Sequence, residues 1–358
     1  SNKQTEKGKY NNLIYIIRGC MNMENTALTV SIDWLEFTIL NSQLHEVMKT
    51  MELKWDDFSK LSKGKFGYNN QIKWSDGSIF IMFTAKDEDV NESTLINPKS
   101  GVHVMITGKG CRQYSVNHDL ISLIKRLYSL PRVNFSRIDL AIDDFESKII
   151  NYDRIHEAAI NGHFTSRWSK WDEINSRQTS DNHFLGRTMY FGSQVSEIFC
   201  RIYDKTLERK AKSDETEIPK NWTRLEMVYR KERATKLVDF LVNKNMPIGY
   251  VLRGTLKHYL RFILPSTDRN KARWRTTAWW EELLSSVDRL QLTVKKEART
   301  IDDMTAWIDQ QISPTLSAIL KAQEGDLGWL RSILAKGSKR LTQKHKDAIN
   351  QYLKGMTV

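Results

Sequence analysis

One nine-residue run constrains this chain more than any other: Arg137-Ile138-Asp139-Leu140-Ala141-Ile142-Asp143-Asp144-Phe145. An extended strand sends alternate side chains to opposite faces. Asp139, Ala141 and Asp143 then share one face, and Ile138, Leu140 and Ile142 share the other. The branched residues call for a core behind them. The two acids around a small residue suit a divalent ion on a sheet surface, since hard oxygen ligands favour Mg²⁺ or Mn²⁺. Salt bridging is the rival reading, because Arg137 falls on the same face as Asp139. By strict alternation Asp144 belongs to the opposite face.

Two later segments extend this chemistry. In Arg201-Ile202-Tyr203-Asp204-Lys205, residues Arg201, Tyr203 and Lys205 share a face, and in Arg224-Leu225-Glu226, Arg224 and Glu226 do. Asp139, Asp143 and Glu226 are therefore candidate metal ligands, and Tyr203 a candidate nucleophile. A phenol whose unperturbed pKa is near ~10 is a poor nucleophile at neutral pH. Arg201 and Lys205 would stabilise its phenolate, and Arg224 would supply a cation for phosphate. Tyr190, two residues before Gly192, is the rival tyrosine. The turn-like Gly108-Lys109-Gly110-Cys111-Arg112 would let backbone N–H groups approach a phosphate, with Lys109 and Arg112 adding charge. The combination points to metal-assisted nicking of DNA.

Composition agrees with an anionic partner. Lys and Arg total 55 against 43 Asp and Glu, a net charge of +12. The charge is spread along the chain, so it reads as a folded basic protein and not as a disordered arm. Aromatics beside cations, as in Arg167-Trp168-Ser169-Lys170-Trp171 and Arg273-Trp274-Arg275, suit base stacking with phosphate pairing, although tryptophans anchoring a core explain each one equally well. Cys20, Cys111 and Cys200 are scattered and form no CxxC, which gives no support to a zinc ribbon or a disulfide framework and fits a reducing cytosol. The sequence lacks HxH and HExxH pairs, GxxxxGK[ST] and GxGxxG. Histidine-metal and nucleotide-binding classes thus lose their motif support. His258 and Arg261 have the HxxR spacing of tyrosine recombinases, without a suitably placed tyrosine after them. No apolar run approaches the ~20 residues that span a bilayer.

The pattern along the chain predicts an α+β architecture with a mostly antiparallel sheet. Strands are expected at 27–39, 72–74, 78–83, 101–107, 137–145, 187–192, 198–205 and 222–230, with a hairpin at Asp76-Gly77. Helices are expected at 42–51, 120–130 and from 155 to 160. After Lys231 strand patterns vanish, and helices are expected at 234–243, 250–263, 274–290, 301–324, 327–335 and 343–353. Three regions follow: a peripheral segment 1–25, a nicking domain 26–230, and a helical region 231–358 for DNA binding or oligomerisation. The opening Ser1-Asn2 reads as a remnant of expression, with Met21 or Met23 as candidate natural starts.

Taken in order, Asp33-Trp34, Gly108-x-Gly110-Cys111-Arg112, Arg137 to Asp144, Tyr190-x-Gly192-Ser193, Arg201 to Lys205 and Arg224-Leu225-Glu226 resemble the replication initiation factor family. These are the Rep_trans-type rolling-circle initiators and relaxases of plasmids, conjugative elements and filamentous phages. The length and helical tail point toward a filamentous-phage replication protein. The resemblance, from about Asp33 to Arg230, implies a fold related to the HUH endonucleases, with carboxylates in place of their histidine pair. It implies a site-specific nick, a 5′-phosphotyrosyl intermediate on the tyrosine of a YxK motif (Tyr203 here) and a 3′-OH that primes replication. The metal-binding carboxylates map to Asp139, Asp143 and Glu226, with Mg²⁺ or Mn²⁺ as cofactor. Origin DNA, single-stranded or supercoiled duplex, would be the partner in the cytoplasm of a bacterial host. A host helicase and a homodimer are further expected partners, and a membrane is not. The alternative functions are a non-catalytic origin-binding or regulatory protein, and an interaction protein whose basic charge is incidental.

Overall fold

The computed structural model describes residues 28–74, 78–86, 90–212, 218–288, 300–341 and 343–355. The segment expected to be peripheral, 1–25, and the Asp76-Gly77 hairpin lie outside the described residues. Contacts divide the chain into two units, 1–294 and 295–358.

The first unit is built on a ten-stranded sheet in the order β2-β3-β4-β5-β1-β6-β11-β10-β9-β8. The strands are β1 Leu28–Ile39, β2 Phe58–Lys60, β3 Asn70–Trp74, β4 Ile79–Phe83, β5 Val102–Ile106, β6 Val133–Asp144, β8 Trp171–Arg177, β9 Phe184–Phe191, β10 Ile198–Asp204 and β11 Thr223–Arg230. Every neighbouring pair runs antiparallel, as the alternation of residues predicts. The α+β expectation holds.

β1 shows how the sequence sets its own geometry. Its core residues are Leu28, Val30 and Ile32, then Leu35, Phe37 and Ile39. The period of two slips by one residue at Asp33-Trp34, and there the register with β6 shifts. That extra residue is a β-bulge, which lets two successive side chains face the same way. β6 keeps its phase: Ile138, Leu140 and Ile142 lie in the core. Asp144 turns away from Asp139 and Asp143, and its carboxylate caps the N–H groups of Glu146, Ile149 and Ile150.

Helices bring the matching apolar surfaces. They are α1 Leu44–Met51, α2 Gly108–Asn117, α3 Leu120–Tyr128, α4 Tyr152–Ile160, α5 Lys205–Lys212, α6 Glu232–Val242, α7 Ile248–Tyr259 and α8 Ala278–Asp288. Leu120, Leu123, Ile124 and Leu127 recur at helical spacing on α3, behind an Asp119 side chain that caps Ser122 N–H. α6 buries Ala234, Leu237, Val238 and Leu241, and packs on β6 and β11. The helices from Glu232 to Asp288 thus belong to the same unit as the sheet.

Three local expectations change. The Gly108–Arg112 segment, expected as a phosphate-approaching turn, is the first turn of α2. The Thr107 hydroxyl accepts from Gly110 N–H to cap it, and a Cβ on Gly110 would stand 2.4 Å from the Ser78 carbonyl oxygen. Those glycines serve close packing. The helix expected at 250–263 ends at Tyr259, because Leu260–Phe262 pairs as β12 with β7, Phe164–Ser166. Nor does the next helix begin at Trp274. Ile263 bridges to Thr276, so the chain stays extended until α8 starts at Ala278.

The second unit is helical: α9 Ile301–Trp307, a π-helical turn Ile308–Ile312, α10 Ser313–Ala322, α11 Gly328–Ser338 and α12 Gln343–Gly355. The helix expected at 301–324 runs without a gap from Ile301 to Ala322, with a π-helical turn just before Pro314, which lacks an N–H for the regular ladder. Among the described residues no helix is long and apolar enough to cross a membrane.

Candidate active site

Three adjacent strands, β6, β11 and β10, define the site by register. Asp143 stands opposite Arg224, which stands opposite Tyr203. One row along, Ala141 faces Glu226, and Glu226 faces Arg201. Directly opposed residues of antiparallel strands point to one side. All these side chains therefore converge on the face away from the core, as strand alternation predicts for Asp139, Asp143, Tyr203, Arg201, Arg224 and Glu226.

Tyr203 is the centre of the arrangement. Its hydroxyl donates to Glu226 Oε1. Lys205 Nζ lies 3.3 Å from the same hydroxyl oxygen and also bonds Glu208. Lys205 opens α5 directly after β10, and its backbone N–H donates to the Trp222 carbonyl. Arg201 grips Glu226 Oε2 through Nε and Nη2, and reaches to 3.8 Å from Asp139. Asp139 takes two hydrogen bonds from Arg137, at 2.9 and 2.6 Å. Asp143 takes two from Arg224, at 2.7 and 2.8 Å, and a third from Trp222 Nε1 at 2.5 Å.

Sequence reasoning missed two members as site residues. Asp33 reaches the centre because of the β1 bulge, with Oδ1 2.7 Å from Arg224 Nη1 and 3.5 Å from Arg112 Nη1. The slip in the hydrophobic period at Asp33-Trp34 was the signal available. Trp222 was missed although the strand expected from 222 sets it on the face of Arg224 and Glu226, because a tryptophan there reads equally well as a core anchor.

The centre is buried. Tyr203 is 7% exposed, and Asp139 and Glu226 are at 0%. Burial, and then the Glu226 charge, push the Tyr203 hydroxyl well above the usual phenol range. Burial also raises Glu226 despite Arg201, and raises Asp139 despite Arg137. Lys205 is lowered by burial and by the Arg224 charge. For Asp33, burial is outweighed by Arg224, Lys205 and Arg112 together, which hold it below the usual carboxylate range. A phenol donating to a carboxylate of raised basicity is arranged to lose its proton when an electrophile arrives.

The other expected residues fall outside this centre or at its edge. Arg112 sits at the rim against Asp33, while Lys109 is exposed on the first turn of α2. Tyr190 stands opposite Arg201 on β9, with its ring 6.4 Å from Phe199. Arg261 of the HxxR pattern donates to the carbonyls of Lys271, Ala272 and Trp274, which makes it a structural brace.

For a divalent ion the donors are chemically right and currently engaged. Asp139 and Asp143 lie four residues apart on one strand, a separation of about 13 Å by strand rise. They hold separate arginines and do not meet at a point. Asp33, Asp143 and Glu226 instead surround the Arg224 guanidinium, which lies 3.7 Å from Glu226 Oε1. Among the described residues no three acidic, histidine or cysteine side chains stand ready around a common ion position. The oxygens that fit Mg²⁺ or Mn²⁺ are those now facing Arg224.

Comparison with known proteins places these features in a family. Residues 133–335 match the family model described as replication initiation factor. Residues 29–119 match the N-terminal domain of rolling-circle replication initiation proteins. A protein of Bacillus subtilis (strain 168) described as a DNA relaxase, NicK, is 25% identical over 336 residues, covering 90% of each chain. The structure of a rolling-circle replication initiator protein from Geobacillus stearothermophilus superposes with a TM-score of 0.64 at 26% identity, covering 74% of this chain and 98% of that one.

Proposed function

The chain belongs to the replication initiation factor family, and from that premise we propose that it nicks one strand of an origin through Tyr203 to start rolling-circle replication. The observation that supports this reading is the hydrogen bond from the Tyr203 hydroxyl to the buried Glu226 carboxylate, with Lys205 beside the same oxygen.

The phosphodiester of a single-stranded origin segment approaches the exposed edge of this centre. Arg201 and Arg224 hold its non-bridging oxygens in place, as planar forks matched to phosphate. Tyr203 Oη attacks phosphorus in line while its proton passes to Glu226. Lys205 stabilises the charge that builds on the phenolic oxygen. The new bond is Oη–P. The broken bond is P–O3′, and the departing O3′ takes a proton from water to become the 3′-OH. The phosphotyrosyl ester retains the free energy of the phosphodiester, so a later 3′-OH can reverse the step and rejoin the strand.

Nucleases of this kind generally use a divalent metal. Mg²⁺ or Mn²⁺ held by Asp143, Glu226 and Asp33 would act as a Lewis acid on the scissile phosphate. Asp139, held by Arg137, would orient Arg201. Phosphate contacts from basic residues, Lys109 and Arg112 among them, would supply affinity, and base contacts would select the origin.

The test is to incubate the protein with an origin-bearing oligonucleotide and Mn²⁺ and map the covalent peptide–DNA adduct by mass spectrometry. The adduct is expected on Tyr203. Tyr203→Phe should abolish it while leaving DNA affinity within about twofold, since the hydroxyl makes no charge contact with phosphate before attack. An adduct on Tyr190, or one that survives Tyr203→Phe, overturns the assignment.

A further inference from the structure

Arg224 occupies the position between Asp33, Asp143 and Glu226, and its side chain is 4% exposed. Two of its hydrogen bonds go to Asp143. Its Nη1 is buried and makes no hydrogen bond, although Asp33 Oδ1 lies 2.7 Å away, off the line of the N–H. This nitrogen is ion-paired with Asp33 and lies 3.7 Å from Glu226 Oε1, and it is the least well aligned of the Arg224 contacts.

We propose that the scissile phosphate and the divalent ion enter this centre as a coupled pair: the phosphate draws Arg224 away from Asp33 and Asp143, and the carboxylates so released become ligands of the ion. The inference rests on the nicking function above and specifies how that site is loaded.

Charge balance requires the coupling. Four buried or nearly buried carboxylates, Asp33, Asp139, Asp143 and Glu226, face the guanidinium groups of Arg112, Arg137, Arg201 and Arg224, while Lys205 is paired with Glu208. The centre is close to neutral as it stands. A dication arriving alone would sit beside a buried guanidinium and find its oxygen ligands already bonded. A phosphodiester arriving alone would sit beside carboxylates. Each arrangement places like charges together where solvent screens them little. Arriving together, the anion pairs with the guanidinium and the dication with the carboxylates, so each removes the obstacle to the other. Arg224 is the element that moves, since its poorly aligned Nη1 contact with Asp33 can be exchanged for a phosphate oxygen before either Asp143 bond breaks. Two sites linked in this way must show reciprocal coupling.

The experiment is a titration of the full-length chain with Mn²⁺, followed by the electron paramagnetic resonance signal of the free ion. It is run without DNA, with a dT16 oligonucleotide, and with methylphosphonate-linked dT16, whose linkages are uncharged. Binding of Mn²⁺ by DNA alone is subtracted. The expected result is weak Mn²⁺ binding by the free protein, tightened about tenfold or more by dT16 and left unchanged by the uncharged oligonucleotide. Mn²⁺ should raise dT16 affinity by the same factor. Arg224→Met should bind Mn²⁺ tightly without DNA and lose the coupling. If that variant does not fold, the wild-type titrations decide alone. Tight stoichiometric Mn²⁺ binding to the free wild-type chain, or a Mn²⁺ affinity that dT16 does not change, overturns the coupling and leaves the nicking function standing. Failure to bind either Mn²⁺ or DNA overturns both.

Discussion

Replacing Glu226 by Gln is the most discriminating perturbation of this centre. The substitution keeps the shape and removes one acceptor oxygen. In the wild type one carboxylate oxygen takes the Tyr203 hydroxyl and the other takes Arg201. An amide has a single acceptor, which the Arg201 cation should claim. Tyr203 must then accept from the amide N–H₂, and its own proton has nowhere to go. Breaking a buried charge pair costs about 3–5 kcal/mol. Burial already raises the Glu226 carboxyl despite Arg201, so a neutral side chain is tolerated better than usual and the lower figure applies. With an unfolding entropy of about 2.1 cal/mol/K per residue, ~3 kcal/mol over the 1–294 unit lowers the melting temperature by about 5 °C. Losing a positioned proton acceptor should slow adduct formation by about 10²–10⁴. The assay is single-turnover adduct formation on an origin oligonucleotide between pH 6 and 10. Hydroxide must replace the missing base, so the variant rate should climb about tenfold per pH unit while the wild type levels off. A role for Glu226 purely as an ion ligand gives the opposite signature, recovery with excess Mn²⁺ and none with pH. That signature, or an adduct rate near wild type at pH 7, refutes the proton-transfer role.

Other expectations follow from particular contacts. Asp33→Ala leaves Arg224 Nη1 without its nearest carboxylate and should destabilise the protein by about 3 kcal/mol while slowing nicking; an unchanged melting temperature would remove Asp33 from the centre. Gly110→Ala places a methyl 2.4 Å from the Ser78 carbonyl oxygen, which should cost about 1–3 kcal/mol in thermal unfolding without altering the nicking rate per folded molecule. Glu36 is raised by burial, but hydrogen bonds from His103 and Trp34 more than offset this and hold it below its ordinary value of 4.5. Its contribution to stability is therefore present above that value and lost as pH falls through the lower folded one. Melting curves of the wild type should fall more steeply below about pH 4.5 than those of Glu36→Gln, and parallel curves would contradict this.

What could be read from the sequence was whatever a strict period determines. The faces of β6, β10 and β11 follow from alternation, and with them the grouping of Asp139, Asp143, Tyr203, Arg201, Arg224 and Glu226. Pairing between strands has no local signature. The salt bridge of Arg137 to Asp139 lies within one strand and was legible, but only the register shows that Asp143 stands opposite Arg224, and that Glu226 stands beside Arg201 one row from Tyr203. β8 escaped detection because Trp171-Asp172-Glu173-Ile174-Asn175-Ser176-Arg177 is an exposed edge strand with little apolar periodicity. The glycines of α2 suggested a phosphate-binding turn because glycine serves both close approach and loops, and only the neighbouring Ser78 carbonyl distinguishes the two. Leu260–Phe262 read as helix from composition, yet tertiary pairing with β7 overrode that local preference.

The bulge in β1 carries a consequence for engineering. A chain lacking Asp33 would restore unbroken alternation from Leu28 to Ile39, with all six core residues still inward. Such a chain should fold and still present its basic surface to DNA, with Trp34 alone on the site face where the wild type places Asp33 and Trp34 side by side. The irregularity is thus a detachable module: a single-codon deletion offers a route from a cutting protein to one that merely occupies its target, without touching the tyrosine.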